Sequence, residues 1–513
     1  MSLEPVNLVW FKRDLRVQDH HALKMAMDRG PTIALFVVEE EWLQSDEFSN
    51  RHLLFVEDCL KELARNLKSL HVPFFILKGS LPGVFNDLQK QVKIKELFSH
   101  QETGSMWTFQ RDLRVKKWCT EHAIPWSESL QFAVHRGLLN RDRWNAKRNP
   151  IVRRKLIRSV PQAEVPSMSL SLPQYHLGES SRRENGIQNG GEVAGAELLE
   201  SFLSLRGENY SKEMSSPNTA FESCSRLSAH LAWGSLSLSQ IEHEVSRARQ
   251  ELQQKEYGQR GSWPRSLRAF ESRLWWHCHF IQKLERQPSL EFENVNRGYD
   301  GMRENDFDQS LFEAWAKGET GFPFIDACMR ALIQEGWINF RMRAMLISFA
   351  SYQLWLHWRK PAIHLAKLFT DYEPGIHFNQ IQMQAGVTGI NTLRIYSPIK
   401  QSKDQDPQGH FIRKYCPELS EVDDQYIHEP YLMPPMLQSL AGFRLGVDYP
   451  APIVDHAKAY HEAKKKAFSW RKKPEVKRLA REVFQKHGSR KNQFFPAQHR
   501  EAFGNLKDQK KST

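Results

Sequence analysis

Three short stretches hold the residue types from which chemistry could be built. The first is CSRLSAHLAWGSLS, residues 224–237, where Ser225 and Ser228 bracket Arg226 just as a helical pattern begins. Small hydroxyl residues at a helix start can cap it. With free N–H groups and an Arg they can also hold a phosphate or pyrophosphate. A plain N-cap beside a surface Arg is the competing reading. The second stretch is WINFRMRAML, 337–346, which sets Arg341 and Arg343 into an otherwise apolar helical pattern. A buried Arg needs a carboxylate partner; an Arg facing water needs none. The third is DYEPGIHFNQIQM, 371–383, where Asp371, Glu373, His377 and Asn379 surround a Pro-Gly turn. Asp371 or Glu373 could be the carboxylate that an interior Arg requires. No stretch has a metal-ligand spacing or a nucleophile motif. The six Cys are scattered singly with no CxxC, which argues against zinc and iron–sulfur sites.

Other candidates are weaker. His277 and His279 lie two apart on a helical pattern and are not expected to share a face. Trp is abundant at 15 residues, and Trp275, Trp276, Trp315, Trp337, Trp355 and Trp358 fall in helical segments. Such residues can pack a core, relay an electron to a redox cofactor, or stack nucleobases. Their number does not separate these roles.

The elements that must position these residues follow from hydrophobic patterning. Between residues 6 and 130, apolar runs such as VNLVWF and TIALFVVEEEW alternate with helical segments such as FVEDCLKELARNLKSL. That alternation predicts a doubly wound parallel sheet. No GxGxxG follows the first strand, so the usual dinucleotide fingerprint is missing. From 200 onward the patterns are mostly helical. The expected organisation is an α/β domain over 1–135, an interdomain linker over 136–200, an all-α domain over 201–455 and a basic, helical tail over 456–513. SRRENGIQNGGEVAGAE, 181–197, is the Gly-rich part of that linker.

Composition narrows the classes. The chain has 513 residues, 40% of them apolar and 26% charged, ordinary for a soluble protein. No signal peptide and no apolar run of membrane-spanning length are expected. Scattered thiols fit a reducing cytoplasm. The net charge of +12 resides in the tail: residues 456–513 carry 17 Lys and Arg against 5 Asp and Glu, and the remaining chain carries 55 of each. Such a tail can meet phosphates, or it can be a solvated helix with Lys facing water.

Taken together, these stretches resemble the cryptochrome/photolyase family. NLVWFKRDLRVQDHHAL resembles the opening of its antenna domain, and CSRLSAHLAWGSLS its flavin-binding segment. KGETGFPFIDACMRALIQEGWINFRMR, HWRKPAIHLAKLFTDYEPG and GHFIRKYCPEL extend the likeness, in order, over roughly residues 6 to 450. The resemblance implies FAD in the helical domain. It implies that Tyr210, Ser225, Arg226, Leu227 and Ser228 hold the pyrophosphate and ribose, and that Phe270 lies near the cofactor. It makes Arg343 and Asp371 an ion pair beside the isoalloxazine ring, lined also by Tyr372 and Glu373. His377 takes the position facing flavin N5. A second, antenna chromophore would lie near SHQETGSMWTFQRD, 99–112.

The same resemblance points to light-driven repair of pyrimidine dimers in DNA by a monomer. Arg273, Trp276, Phe340, Arg341 and Met383 would contact DNA or the lesion, with the basic 464–491 segment holding the backbone. Trp358, His377 and Met383 would serve the reaction. Several positions depart from the family pattern. Ile381 stands where the relay Trp nearest the flavin is usual, Trp358 keeps the middle one, and the outer one falls near Asn305. A path through Trp355 or Trp315 is the alternative. Arg273, Phe340 and Met383 replace the usual lesion-pocket Glu, Asn and Trp, and Asn339 with Phe340 replaces the paired His of the (6-4) branch. A cryptochrome-like blue-light photoreceptor without repair activity is therefore the alternative function.

Overall fold

The computed structural model describes residues 4–138, 141–142, 144–157, 173–178 and 187–488. Five strands, β1 (Pro5–Phe11), β2 (Thr32–Glu39), β3 (Phe74–Gly79), β4 (Lys93–His100) and β5 (Trp126–Ser129), form one parallel sheet in the order β3-β2-β1-β4-β5. β1 shows why both faces are covered. Val6, Leu8 and Trp10 pack in one cluster with Phe85, Val115 and Trp118. Val9 and Phe11 pack in another with Phe55, Leu60 and Leu63. Strand side chains alternate with period 2, so a continuous apolar run fills two cores at once. The order reverses on either side of β1, which places the crevice outside its carboxyl end. The α/β domain matches the expectation, and the remaining chain is mostly helical.

Two segments differ from the linker and solvated-tail readings. Residues 187–201 are packed rather than free. Gly191 has φ +108°, and a Cβ on Gly190 would lie 2.3 Å from the Phe55 carbonyl oxygen, so the Gly pair lets the chain press onto helix Asn50–Ser69. Helix Glu192–Ser201 follows, and the Glu192 carboxylate accepts from the backbone N–H groups of Val17 (2.8 Å) and Gln18 (3.1 Å). The basic tail forms helices His456–Lys472 and Pro474–His487. Ala463 and Ala467 pack on Tyr352, while Val483 joins Leu284, Leu290 and Val295. The apolar inner faces hold these helices down, and Lys464, Lys465 and Lys466 stay exposed. Residues 181–186 of the expected linker, and 489–513 of the tail with Arg490 and Lys491, lie outside the described residues.

Candidate functional site

The helical domain contains a cavity of about 610 Å³, a size suited to a cofactor. Its wall includes Tyr210, Ser225, Arg226, Leu227, Ser228, Phe270, Arg273, Trp276, Phe340, Arg343, Asp371, Tyr372, Glu373, His377 and Met383. Among the residues given site roles from sequence, Arg341 and Trp358 lie off this wall, as do Asn379, Trp275, Trp315 and Trp355. Arg341 donates to Gln401 Oε1 (3.4 Å) and Ser215 Oγ (3.3 Å), and among the described residues it has no carboxylate partner. Trp358 is fully buried, and its indole N–H donates to Asn294 Oδ1 at 2.7 Å.

Arg343 has the interior partner that its apolar helix required. Its guanidinium makes two parallel bonds to Asp371, at 3.0 and 2.8 Å, and Nε donates to the Ile338 carbonyl at 2.7 Å. The plane also lies 4.0 Å from the Phe369 ring centroid. Such a fork-to-carboxylate pair fixes orientation as well as charge. Glu373 takes a different Arg: Arg13 of the α/β domain reaches its carboxylate at 3.4 Å and the Tyr372 carbonyl at 2.9 Å. Glu373 also caps helix Pro374–Ala385 by accepting from the Gly375 N–H. Burial pushes its carboxyl up to about 7, against the pull of Arg13.

The serine segment is not a plain N-cap. Helix Ser228–Ala232 begins after Leu227, and no side chain caps it. Arg226 has φ +59°, a left-handed conformation that costs roughly 1 kcal/mol for a residue with a Cβ. Its guanidinium lies 4.9 Å from the Phe221 ring and 4.4 Å from that of Trp337. Its Nε is buried with no hydrogen-bond partner among the described residues. An orphaned cationic N–H on a cavity wall fits an anionic ligand group. The segment is seated by Gly234 (φ +71°), where a Cβ would lie 2.1 Å from the Arg13 carbonyl oxygen. Only glycine permits that approach.

His377 donates from Nε2 to the Ala362 carbonyl at 2.9 Å, and burial lowers its pKa to about 4. It is therefore neutral near pH 7, with Nδ1 left as an acceptor. Burial drives the Tyr210 phenol up to about 12. Toward the exposed edge of the wall, Arg273 lies 5.6 Å from the ring of Phe340, which is 47% exposed, and Trp276 stacks on Phe280 at 5.4 Å.

The wall also holds residues that sequence reasoning discounted or passed over. His277 and His279 both border the cavity despite their spacing of two. The cavity is wide enough for side chains on adjoining sides of one helix to reach it. Lys283 continues the face of Trp276 and Phe280 at i, i+4 and i+7, a signal present in the sequence. His487 comes from the last residue of the C-terminal helix, and no local signal could have found it.

Around residues 99–112, Arg111 is buried among Glu39 (2.8 Å), Glu102 (2.6 Å) and Asp112 (2.8 Å). The cavity there is about 50 Å³. A groove of about 770 Å³ lies beside it, bordered by Phe109, Lys116, Trp126 and Arg136. Among the described residues the ring contacts of Trp358 are with His357 (5.4 Å) and Phe378 (6.4 Å), and neither Trp355 nor Trp315 is among them, although Trp315 shares its core cluster and Trp355 packs against that cluster. Among the described residues, no helix is long and apolar enough to cross a membrane.

A parallel-sheet domain joined to a helical domain with this cavity defines a two-domain flavoprotein architecture. The family models for "DNA photolyase" and "FAD binding domain of DNA photolyase" match residues 7–137 and 270–469. The chain belongs to the cryptochrome/photolyase family and carries its FAD-binding domain. It is 27% identical to a deoxyribodipyrimidine photo-lyase of Alkalihalophilus pseudofirmus, over 91% of this chain and 98% of that one. It is also 27% identical to a cryptochrome DASH of Gloeobacter violaceus, over 89% and 94%. A bacterial class III photolyase from Agrobacterium tumefaciens shares the fold with a TM-score of 0.80 and 23% identity, covering 92% of this chain and 99% of that one.

Proposed function

We propose that this protein is a light-driven DNA photolyase that repairs UV-induced pyrimidine dimers with FAD held in the 610 Å³ cavity. The observation that carries the reading is the wall itself. It combines a fixed Arg343–Asp371 pair and an unpartnered Arg226 Nε with an aromatic and cationic edge of Trp276, Phe340 and Arg273. Ser225, Arg226, Leu227 and Ser228 hold the pyrophosphate and ribose, with Tyr210 and Phe270 beside them. Arg343, Asp371, Tyr372 and Glu373 line the ring system. His377, neutral and with Nδ1 as its acceptor, would face flavin N5. When bound and reduced, FAD would supply light-driven, reversible one-electron donation to the dimer. Trp276, Phe340 and Met383 receive the flipped bases, an extrusion that costs least at a damaged step. Arg273 and Arg341 contact the backbone. Trp358 serves the electron path to the cavity. The 770 Å³ groove beside Trp126 is the place for a second chromophore.

A blue-light photoreceptor is the second reading. It is favoured by Arg273, Phe340 and Met383, which replace a carboxylate, an amide and a stacking indole at the lesion pocket. The deciding experiment is light-dependent repair by the protein with its flavin chemically reduced, on oligonucleotides carrying a cyclobutane dimer or a (6-4) product. Repair of one of them in light and not in darkness is expected. No repair of either, with flavin bound and reduced, would replace the photolyase reading with the photoreceptor.

A further inference from the structure

A cluster of polar groups is buried apart from the 610 Å³ cavity, whose wall contains none of them. Arg303 is 2% exposed, and Tyr299 and Tyr352 are 1% exposed each. Among the described residues, Arg303 Nε and Nη2 and both phenol hydroxyls are buried without a hydrogen-bond partner. The three side chains act on one another electrostatically, and Arg303 comes close to the Tyr352 hydroxyl without completing a hydrogen bond. The guanidinium lies 4.5 Å from the Trp355 ring and 5.3 Å from the Tyr352 ring. The carboxylate that acts on it is Glu304, and that carboxylate is engaged elsewhere. It accepts from the Arg303 backbone N–H at 2.9 Å and from Asn294 Nδ2 at 3.3 Å, and it lies 3.8 Å from His357. Arg471, which acts on both phenols, adds a second cation. The backbone around these groups is irregular. Tyr352 stands on a turn of π-helix, Phe349–Gln353, a form common at functional sites. Trp355 has φ +53°, a left-handed conformation that is strained for a bulky residue. A Cβ on Gly386 (φ +76°) would collide with the Tyr352 oxygen, so only glycine leaves room beside that hydroxyl.

A buried cation without a counter-charge is costly. Burial lowers the Arg303 guanidinium only to about 10, so it stays charged near pH 7. Burial raises both phenols, Tyr352 to about 12, so each keeps the proton it can donate. Water would accept from these donors but bring no charge, and its own protons would need acceptors that only the phenol oxygens could supply. We propose that Arg303, Tyr299 and Tyr352 form a binding site for a small inorganic monoanion, chloride in ordinary buffers. The guanidinium supplies the charge and donates through Nε and Nη2, and the two phenols donate their hydroxyl protons. The enclosure takes a bare halide. Phosphate or an organic acid carries more bulk than so closed a site accepts. The site shares no residue with the cavity wall and stands whether or not the repair reading does.

The first test is diffraction from crystals of the full-length, flavin-loaded protein grown in sodium bromide, with data collected at the bromine absorption edge. An anomalous peak within hydrogen-bond reach of Arg303 Nε or Nη2 is expected. A map without that peak, or with peaks only at exposed cations and so showing an adventitious ion only, overturns the site. The second test is thermal unfolding in solution, with sodium gluconate exchanged for sodium chloride at constant ionic strength. The midpoint should rise saturably by about 2 °C, as for a ligand that binds only the folded state. Arg303→Met should abolish the rise. Tyr352→Phe removes one donor and keeps the ring, and it should raise the half-saturating chloride concentration about fivefold, the loss of one hydrogen bond. Should Arg303→Met fail to fold, Tyr352→Phe and the bromide map of the unaltered protein give the answer. A midpoint that ignores chloride, or that responds equally in the unaltered protein and the folded variants, overturns the proposal.

Discussion

Arg343 is specified by three acceptors and a ring, and Asp371 is 7% exposed. Removing the guanidinium would leave a nearly buried carboxylate without its partner. Breaking such a pair costs about 3 kcal/mol. Arg343→Ala should therefore lower both the flavin-to-protein ratio of the purified protein and its urea midpoint. A ratio equal to that of the unaltered protein would remove this pair from the account of the cofactor site. Sequence alone left the partner open between Asp371 and Glu373, because both carboxylates sit in one turn. What separates them is Arg13, 360 residues before Glu373, and only the packing of the two domains brings it there. Ser225 and Ser228 show a similar limit. Their spacing fits a cap, but the left-handed Arg226 delays the helix until Ser228.

At the scale of elements, helix Pro374–Ala385 places Ile381 on the cavity wall and Phe378 against Trp358. Glu373 caps it, Pro374 takes its first turn, and Gly375 comes so near Ile281 that a Cβ would lie 2.7 Å from the Ile281 Cα. This contact clamps the helix onto helix Trp263–Arg286 and fixes Ile381 on the cavity wall. With an aliphatic residue there, Trp358 connects inward through Phe378 at 6.4 Å, which contacts Tyr372 at 6.5 Å. Trp358→Phe is expected to slow flavin photoreduction at least fivefold while flavin content stays constant. Stopped illumination followed by flavin absorbance measures it, and an unaltered rate would show that electrons travel elsewhere. The tail helices were harder to read. Their Ala463/Ala467 and Val476/Val483 spacings mark inner faces, but the surrounding Lys and Arg dominate the composition and suggest a solvated segment.

Across the whole molecule the two domains meet on the loop that borders the cavity. Arg13 holds Glu373 and Tyr372, lies 4.4 Å from the Trp233 ring, and the Trp233 indole donates to the Thr370 carbonyl at 3.0 Å. This junction has a pH signature. The Glu373 carboxyl moves from an ordinary 4.5 up to about 7 on burial, so folding favours its protonated form. The stability this gives is complete below pH 4.5 and is lost as pH rises through 7, a change of about 3 kcal/mol. Glu373→Gln, which carries no proton to lose, should gain thermal stability relative to the unaltered protein as pH goes from 4.5 to 7.5. A stability difference that stays constant across that range would rule out Glu373 as the titrating group. The sheet and its strand–helix alternation were legible because continuous apolar strands have few alternatives. The junction was not, since it depends on residues from distant parts of the chain.

The cavity wall runs from Tyr210 to His487 in chain order. A growing polypeptide can finish its sheet domain early, because all five strands lie within the first 129 residues. It cannot finish the wall until residue 487 has left the ribosome. Cofactor capture is thus a late event of biogenesis, and a message truncated before codon 487 yields a product with an open chamber.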